Sequence, residues 1–468
     1  MRQKCVIFGA GVWGDFAYQK LRNLFDVAVY SDNNPQLWGG VKQGLKIIPP
    51  DELPELVKST GAVIFIANER HYNDIARQLD GLSLKYYHYN AGLTYTREDE
   101  TWYPADICPL PSYRKPGPEK FSVLFVQDKP CTRTNKIARA LKDRGVLTYC
   151  AYSRAPSDEG ARSFSQEFPI WSYAQLLDFV NRSEFDIVHC SNEPDIFVNV
   201  LCQSNKKVIH DCHDAMTIAK RVISPAEEVL EYLANTCADG VMYTTEEMRR
   251  ILARKYHTPE ERTLVVGNYP PAFFESAERL PKRSERDGAI HCVYEGTIVD
   301  SIAAKERPYR FYEPLFLRLA EKGVHIHIYS SVFQEYLKRL DKENPNIHYE
   351  GNYSGEDLIS RMTQYDLGLL PVTEAGATLE NGASHNKIYE YLSAGLPIAT
   401  NISSYVSFLA GNGYGSMADF ASDDIVSQMQ KLRALTIPQD FCSAHGLTMD
   451  ANADRILAFY QKILAMNV

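Results

Sequence analysis

Apolar residues recur along the chain in short continuous runs, each followed by a turn and a segment with helical spacing of apolar positions. Three such runs are CVIFGAG from Cys5, SVLFVQD from Ser122 and HCVYEGT from His291. After the first run, for example, the helical pattern continues through Ala17 and Leu21. Continuous apolar strands that alternate with amphipathic helices are typical of parallel sheets covered by helices. The pattern therefore predicts an α/β fold built from three Rossmann-like units.

Two polar passages with little apolar periodicity separate the three units. Residues 101–120 are rich in proline, which favours a linker, and the charged passage RLPKRSERDG from Arg279 predicts a hinge before the last unit. The predicted domains are residues 1–100, 121–278 and 279–468, with 101–120 as the linker.

Length and hydropathy bound the class of protein. The chain has 468 residues, of which 45% are hydrophobic, and domains of ~150 residues would number about three. Mean hydropathy is −0.31, and no run approaches the ~18 consecutive apolar residues of a membrane-spanning helix. Glycines interrupt the apolar stretch near the N-terminus at once, which argues against a signal peptide. We therefore expect a cytoplasmic protein.

The net charge argues against a nucleic-acid-binding protein, and the cysteine pattern argues against a disulfide-bonded one. A net charge of −9 provides no basic footprint for nucleic acid. The ten cysteines are scattered from Cys5 to Cys442 without a CxxC pair, and several lie inside apolar runs. They are predicted to be reduced core residues.

The segment EAGATLENGASHNKIYEYLSAGLPIAT, from Glu374, combines a Gly-rich loop with a predicted helix. Ser384 or Asn386 can cap the helix start, and Gly395 suits the residue just beyond its end. Proline follows two positions later, and the next few residues predict a short buried strand.

Two charged residues of that helix, Lys387 and Glu390, are three positions apart and so face the same side. The loop offers backbone N–H groups, the helix start adds its positive dipole end, and Lys387 is a point charge for phosphate. Glu390 can accept both hydroxyls of a ribose. The segment therefore predicts a site for a nucleoside diphosphate.

The part SHNKIYEYLSAGLPIAT resembles the PNKxxEYLAxGxPVV signature of GT-B glycosyltransferases, especially the large retaining group called family 4. Many members carry a first glutamate seven residues before the second. That position is Ala383 here, so Glu380 or Glu374 would have to serve. An ordinary amphipathic helix docked on a sheet is the alternative, but it does not explain the Gly, Asn and Lys residues that precede the apolar positions.

The resemblance implies that the last two units form a GT-B pair, with the site in the cleft between them. Residues 121–278 would be the acceptor half and 279–468 the nucleotide-sugar donor half, and the last helix, from Asp450 to Leu464, would cross back. The implied reaction moves a sugar from a nucleotide-diphosphate sugar to a saccharide or lipid-linked acceptor, with retention at the anomeric carbon.

In the second unit, KKVIHDCHDAM resembles the family strand that ends in His-Asp beneath the donor sugar. His213 and Asp214 match that pair, and the resemblance places His213 near the reacting carbon. A structural histidine is one alternative, and a metal cluster of this pair with His210 and Cys212 is another. Alternation along a strand would point His210 and Cys212 away from His213, which is poor spacing for a single metal site.

The third unit opens with HCVYEGTIVDSIAAKERPYR. In the family a glycine, a basic residue and a later Lys or Arg hold the leaving diphosphate at this point. Gly296 fits, but Thr297 follows it, which leaves Lys305, Arg307 and Arg310 as candidates for the second cation. Arg307 is the first choice, because an arginine before a helix can clamp phosphate oxygens with two hydrogen bonds; a solvated basic loop is the alternative. The predicted donor-binding residues are Gly296, Lys305, Arg307, Glu374, Ser384, His385 and Asn386.

The first unit carries GAGVWG from Gly9, a GxGxxG placed between an apolar strand and a helix. The next strand ends at Asp32, where an acid is placed for ribose hydroxyls. This unit resembles the small Rossmann-like domain found ahead of sugar acyltransferases and some nucleotide-sugar modifying enzymes. Gly9, Gly11, Gly14 and Asp32 are thus the predicted cofactor-binding residues, for a nucleotide or nucleotide sugar, and a purely structural or docking role stays open.

No DxD-like acid pair with metal geometry stands at a predicted strand end, so we expect transfer without a metal ion or another required cofactor. Lys387, Arg307 or a neighbour, and helix dipoles would neutralise the diphosphate. His213, Asp214 and Glu390 complete the predicted catalytic set.

The fusion of a nucleotide-sugar-type domain to such a transferase favours surface-polysaccharide or glycoconjugate synthesis, with peripheral contact at the inner membrane face. Two rivals stay open. One is a nucleotide-sugar-binding protein without turnover. It is considered because Ala383 and Thr297 stand where the family has a glutamate and a basic residue. The other is an NAD-dependent epimerase or dehydrogenase centred on the GxGxxG.

Overall fold

Three β-sheets connected by helices make up the computed structural model of the chain, and they confirm the predicted α/β fold with three Rossmann-like units. The structure describes residues 2–22, 25–68, 70–89, 110–118, 120–154, 160, 162–192, 194–219, 223–305, 308–372, 386–402, 408–409, 411–414 and 418–466.

The strands of the first sheet are β1 (Lys4–Phe8), β2 (Asp26–Ser31), β3 (Val41–Lys42), β4 (Leu45–Ile48), β5 (Val63–Ile66) and β6 (Tyr86–His88). Their order is β3-β4-β2-β1-β5-β6, parallel except for the antiparallel β3–β4 pair. The helices of this part are α1 (Val12–Leu21), α2 (Leu53–Thr60) and α3 (Tyr72–Gly81).

The strands of the second sheet are β7 (Ser122–Gln127), β8 (Leu147–Tyr152), β9 (Gln166–Pro169), β10 (Ile187–Ser191), β11 (Lys207–Cys212), β12 (Gly240–Tyr243) and β13 (Thr263–Val265). Their order is β13-β12-β11-β10-β7-β8-β9. The helices are α4 (Thr132–Lys142), α5 (Tyr173–Arg182), α6 (Ile196–Leu201), α7 (Met216–Ala219), α8 (Pro225–Cys237) and α9 (Glu246–Tyr256).

The strands of the third sheet are β14 (Ile290–Glu295), β15 (Val324–Tyr329), β16 (Ile347–Gly351), β17 (Leu367–Leu370) and β18 (Ile398–Thr400). They are all parallel, in the order β16-β15-β14-β17-β18, so their carboxyl ends share one edge. The helices are α10 (Ser284–Asp287), α11 (Glu313–Glu321), α12 (Gln334–Glu343), α13 (Gly355–Met362), α14 (Asn386–Ser393), α15 (Ile425–Arg433), α16 (Phe441–Ala444) and α17 (Met449–Ala465).

Contacts between residues divide the chain into two compact units. The first comprises Met1–Asp211, Cys237–Gly240 and Lys462–Val468, and the second comprises Cys212–Thr236 and Val241–Gln461. Each of the three sheets falls inside one predicted domain, and the predicted domain limits themselves stay predictions. None of the described helices combines the length and apolar character needed to cross a bilayer. The cysteines of the described part are free thiols and most are buried, as the sequence predicts.

A buried ion pair in the second sheet joins α4 to β11. Arg133 donates to the Asp211 carboxylate from two nitrogens, at 2.8 Å from Nε to Oδ2 and 2.9 Å from Nη2 to Oδ1. His189 Nε2 lies 3.4 Å from the same Oδ2. Burial alone would raise the pKa of Asp211, but the Arg133 guanidinium and His189 outweigh it and hold that pKa well below its usual range.

We predict that Arg133→Met lowers the free energy of unfolding by about 3–5 kcal/mol, because it leaves the Asp211 carboxylate buried without its partner. The pKa of Asp211 is lower in the folded chain than in the unfolded one, so the pair stabilises above about pH 4 and less as the pH falls. Denaturant unfolding at neutral pH measures the change. The exposed Arg144, just beyond the same helix, is the control, and Arg144→Met should change stability by less than about 0.5 kcal/mol. Equal effects of the two substitutions would contradict the prediction.

Lys20, on α1, is fully buried with its ammonium against an aromatic ring. Its Nζ lies 4.6 Å from the centre of the Trp171 ring and has no hydrogen-bond partner among the described residues. Burial lowers the pKa of Lys20 to about 7, and attraction to Asp128 opposes that shift. A buried ammonium without a hydrogen bond costs stability.

Lys20→Met should therefore raise the free energy of unfolding, by about 1–3 kcal/mol at pH 7. The folded-state pKa lies below the unfolded value, so the cost is full below pH 7 and fades as the pH rises toward about 10, where the unfolded chain also loses the proton. Thermal unfolding at pH 7 and pH 9.5 tests both statements, with exposed Lys58→Met as the control. A loss of stability in Lys20→Met would mean that the contact with Trp171 outweighs the burial cost.

Candidate functional site

Gly296 follows β14 at the carboxyl edge of the third sheet. Its φ is +120°, a conformation that favours glycine, and its N–H donates to the Tyr329 carbonyl at 2.9 Å. A Cβ at this position would lie 2.8 Å from Cε and 2.9 Å from Nζ of Lys387. The missing side chain thus leaves the space that the Lys387 ammonium occupies, and the structure brings together two of the predicted site residues.

A tyrosine and a second cation lie beside Lys387. The Lys387 Nζ is 5.5 Å from the centre of the Tyr294 ring, and the Tyr294 hydroxyl donates to the Thr297 carbonyl at 3.3 Å. Burial raises the pKa of Tyr294 to about 12, and the charge and hydrogen bond of Arg310 offset part of that rise. Lys387, on helix α14, and Arg310, in the loop after β14, therefore approach the same tyrosine.

Helix α14, which carries Lys387, is fixed to the sheet through Tyr391. The Tyr391 hydroxyl donates to the Leu369 carbonyl at 3.1 Å and accepts from the Glu295 N–H at 3.2 Å. Its ring packs on Gly368, where a Cβ would lie 2.4 Å from the ring. One side chain thus ties the helix to β14 and β17.

The end of α14 is the one that the sequence predicts. Gly395 has φ +70°, and its N–H donates to the Leu392 carbonyl at 2.9 Å. The N–H of Leu396 donates to the Tyr391 carbonyl at 2.9 Å. These two bonds form a Schellman motif, which confirms Gly395 as the residue just beyond the helix.

The other predicted residues of the helix also lie near its first turns. Glu390 is 8% exposed and faces the same side as Lys387. Asn386 lies within the helix rather than at its cap position, and its Oδ1 is buried without a hydrogen-bond partner among the described residues. Lys305 ends the short 3₁₀ turn Ala303–Lys305 and is exposed.

Several predicted residues fall on segments that the structure does not describe. They are Arg307, Glu374, Ser384 and His385, together with the alternatives Glu380 and Ala383.

His213 and Asp214 come directly after β11, at a strand end of the second sheet. The His213 side chain is 9% exposed and the Asp214 side chain 54%, and 3.8 Å separates His213 Nε2 from Asp214 Oδ2. His210 is buried and its Nε2 lies 3.4 Å from Asp195 Oδ1. Within the described residues, the ligand atoms of the proposed cluster with Cys212 do not gather around one point, so the metal alternative has no support here.

The glycines of the first sheet have two different roles. A Cβ on Gly14 would lie 2.0 Å from the Gly9 carbonyl oxygen, and one on Gly9, whose φ is +115°, would lie 2.8 Å from the Ala67 oxygen. These two glycines allow close packing of helix, loop and strand. A Cβ on Gly11 would meet no described atom within 4 Å, so that position opens to the outside of the loop.

Asp32 and Lys42 hold the loop of the first sheet. The Asp32 carboxylate accepts the N–H of Ala10 at 2.7 Å and that of Asn34 at 2.8 Å. Lys42 Nζ donates to the carbonyls of Ala10 and Gly11, at 2.6 and 3.2 Å. Asp32 is thus engaged by the loop itself, and its ribose-binding role stays a prediction. Lys42 was not predicted, because its contact depends on the β3–β4 hairpin folding over the loop.

Among the candidate cations of the third unit, Arg310 interacts with Tyr294. The preferred candidate, Arg307, lies outside the described residues, so its role stays a prediction. Tyr294 and Tyr391 were missed as site residues. The sequence offered a signal for both, since Tyr294 lies two residues before Gly296 and Tyr391 lies four residues after Lys387.

Comparisons with known proteins bear on the whole arrangement. The protein-family profile described as Glycosyltransferase Family 4 matches residues 132–269. A glycosyltransferase from Rickettsia africae ESF-5 has a similar structure, with a TM-score of 0.52 and 13% identity, over 75% of this chain and all (100%) of that one. Anabaena HepE in complex with UDP and glucose gives a TM-score of 0.52 and 14% identity, over 72% and 99% of the two chains. No curated protein matches the chain in sequence. The predicted resemblance is thereby confirmed: the chain has the fold of GT-B glycosyltransferases, and residues 132–269 match the family 4 profile.

Proposed function

We propose that the protein is a glycosyltransferase that moves a sugar from a nucleotide-diphosphate sugar to a saccharide or lipid-linked acceptor. The observation that carries this proposal is the placement of the Lys387 ammonium against Gly296 at the carboxyl edge of the third sheet. Ligands of open parallel sheets bind at that edge. The family 4 match and the GT-B fold support the same reaction class.

The charges at this edge suit a leaving diphosphate. Lys387 and Arg310 both lie beside Tyr294, and the positive end of α14 adds to them. Fixed positive groups placed where negative charge develops lower the barrier to transfer. Two cations and a helix dipole can neutralise the diphosphate, so we propose that transfer needs no metal ion and no cofactor beyond the nucleotide sugar.

The donor is proposed to bind along α14. Glu390 would accept hydrogen bonds from the ribose hydroxyls. The buried Asn386 Oδ1, which lacks a partner among the described residues, would accept a hydrogen bond from the nucleotide sugar. Anabaena HepE, a structural neighbour, was solved with UDP and glucose, which supports a nucleoside diphosphate sugar as the donor class.

The sugar is proposed to react with retention. The bond from the anomeric carbon to the phosphate oxygen breaks, the acceptor hydroxyl oxygen bonds to that carbon on the same face, and its proton passes to the departing phosphate. His213 would contact the transferred sugar and Asp214 would assist, as their match to the family pair implies. The bound donor would exclude water, which would otherwise react at the anomeric carbon as charge develops there.

The setting is proposed from the fusion of domains. A GxGxxG loop ahead of a transferase fits a role in the assembly of surface polysaccharides or glycoconjugates. We propose that this occurs in the cytoplasm, with peripheral contact at the inner membrane face. The loop from Gly9 to Gly14 is proposed to bind a nucleotide or nucleotide sugar, for which the open side of Gly11 leaves room.

Thermal stabilisation by a panel of UDP, GDP, CDP, ADP, NAD and nucleotide sugars tests the proposal. We expect one nucleoside diphosphate to raise Tm in the wild type by mass action, with the same increment in the presence of EDTA. Lys387→Met should weaken that nucleotide about tenfold or more, since a charge-assisted hydrogen bond contributes about 1.5–3 kcal/mol. Release of the nucleoside diphosphate from the sugar nucleotide should require an acceptor.

Lys342→Met is the matched control, because this lysine is exposed and lies in the last turn of α12, outside the predicted site. It should leave the nucleotide shift unchanged. A shift with NAD alone that persists in Lys387→Met would overturn the proposal and assign the function to the first sheet. Binding without any turnover across acceptors would favour the non-catalytic alternative.

Gly296→Ala is expected to separate stability from binding. The new Cβ would displace the Lys387 ammonium, so affinity for the nucleoside diphosphate should fall about tenfold. The backbone cost should be about 1–2 kcal/mol, as for any alanine forced to positive φ. Titration calorimetry and denaturant unfolding measure the two effects.

Gly288→Ala is the control for that strain. Gly288 also has positive φ, +76°, and a Cβ there would meet no described atom within 4 Å. It should cost similar stability without changing affinity. If both variants bind alike, the contact between Gly296 and Lys387 does not serve the nucleotide.

A further inference from the structure

Four histidines gather on one face of the third sheet, near the amino ends of its strands. His291 on β14 is the register partner of His325 on β15, and His327 on β15 is the partner of His348 on β16. The ring centres of each pair are 4.5 Å apart, in stacked geometry. His291 lies five residues before Gly296, which corresponds to about 16 Å along a strand. The cluster is therefore separate from the edge at which a nucleotide would bind.

Two of these histidines form a chain of contacts that ends in a carboxylate on each side. Glu350 Oε1 lies 2.7 Å from His327 Nδ1, and His327 Nε2 lies 2.9 Å from His291 Nδ1. His291 Nε2 in turn lies 3.1 Å from Asp287 Oδ2. Arg283 forms an ion pair with Glu350 at 2.9 Å, which keeps that end ionised.

With both histidines neutral, this chain of contacts has one proton too few for its three hydrogen bonds. Each of the three contacts needs one proton between its two heavy atoms, but ionised carboxylates carry none and each neutral imidazole carries one. If His327 donates to Glu350 and His291 donates to His327, the Nε2 of His291 faces the Asp287 carboxylate with a lone pair. Two electron-pair donors facing each other are the arrangement that a cation joins.

A third possible ligand, His325, lies next to the contact between His291 and Asp287. One nitrogen of His325 and the ligand atoms of His291 and Asp287 all lie within 4.8 Å of one another. His325 Nδ1 is 2.9 Å from His348 Nε2, a contact that orients the ring, as partners of metal-bound histidines do. The Asp287 side chain is 45% exposed, so an ion can enter the space between these ligand atoms.

We propose that Asp287, His291 and His325 bind a divalent transition-metal ion of the zinc class, with water completing the coordination. A ligand set of two imidazoles and a carboxylate favours such an ion, whereas calcium and magnesium prefer oxygen ligands. Glu350, His327 and His348 orient the ligands from behind. The ion fastens α10 to β14 and β15 and takes no part in neutralising a diphosphate at the opposite strand ends.

Zinc titration of the full chain, after dialysis against a chelator, tests this site. We expect one Zn²⁺ per chain by calorimetry and a higher Tm in its presence. Co²⁺ should give the visible d–d absorption of a four-coordinate site with nitrogen ligands. Asp287→Asn and His325→Gln should each weaken Zn²⁺ binding at least about tenfold.

Two substitutions serve as matched controls. Asp423 is a fully exposed carboxylate, and His445 places its ring nitrogens near the Phe441 carbonyl and the Asn412 amide oxygen. Asp423→Asn and His445→Gln should bind Zn²⁺ like the wild type. Circular dichroism checks the fold, and the exposed Asp287→Asn keeps the test decisive if His325→Gln unfolds. Absence of a one-to-one Zn²⁺ complex, or binding unchanged in Asp287→Asn, overturns the proposal.

Discussion

The close approach of the Lys387 ammonium to the backbone of Gly296 is the contact on which the candidate site depends. It requires a residue without a side chain at the end of β14, and the positive φ of Gly296 fits that requirement. It also requires that α14 be held at a fixed height over the sheet, which Tyr391 achieves through two backbone hydrogen bonds. Tyr294 and Arg310 then complete a positively charged edge. Each of these features lies in the second compact unit.

The parallel third sheet separates two kinds of chemistry. All five strands run the same way, so the glycine and cations lie at the carboxyl edge and the histidines near the amino ends. A cation pair at one edge can neutralise a diphosphate, whereas the imidazoles at the other edge can bind a metal ion. A metal ion at the histidines would therefore be compatible with sugar transfer that requires no metal. Chelation would affect stability and leave the nucleotide increment unchanged.

Local features of the sequence predicted most of the fold. Continuous apolar runs gave the strands, and Gly395 with its following proline gave the end of α14, because these depend on neighbouring residues. Contacts between distant segments were less accessible. The contact of Arg310 with Tyr294, for example, depends on the return of the loop after β14, which is not a local property. Similarly, HIHIY places His325 and His327 on one face, but the sequence does not tell that β14 and β16 lie on either side of that strand.

A crystal structure of the chain with the nucleoside diphosphate that stabilises it is the most direct test of the central claim. We predict that the diphosphate lies against the backbone of Gly296, with the Lys387 ammonium within hydrogen-bond distance of a phosphate oxygen and Glu390 near the ribose. A nucleotide bound instead at the loop from Gly9 to Gly14, with Lys387 contacting no phosphate, would contradict the account.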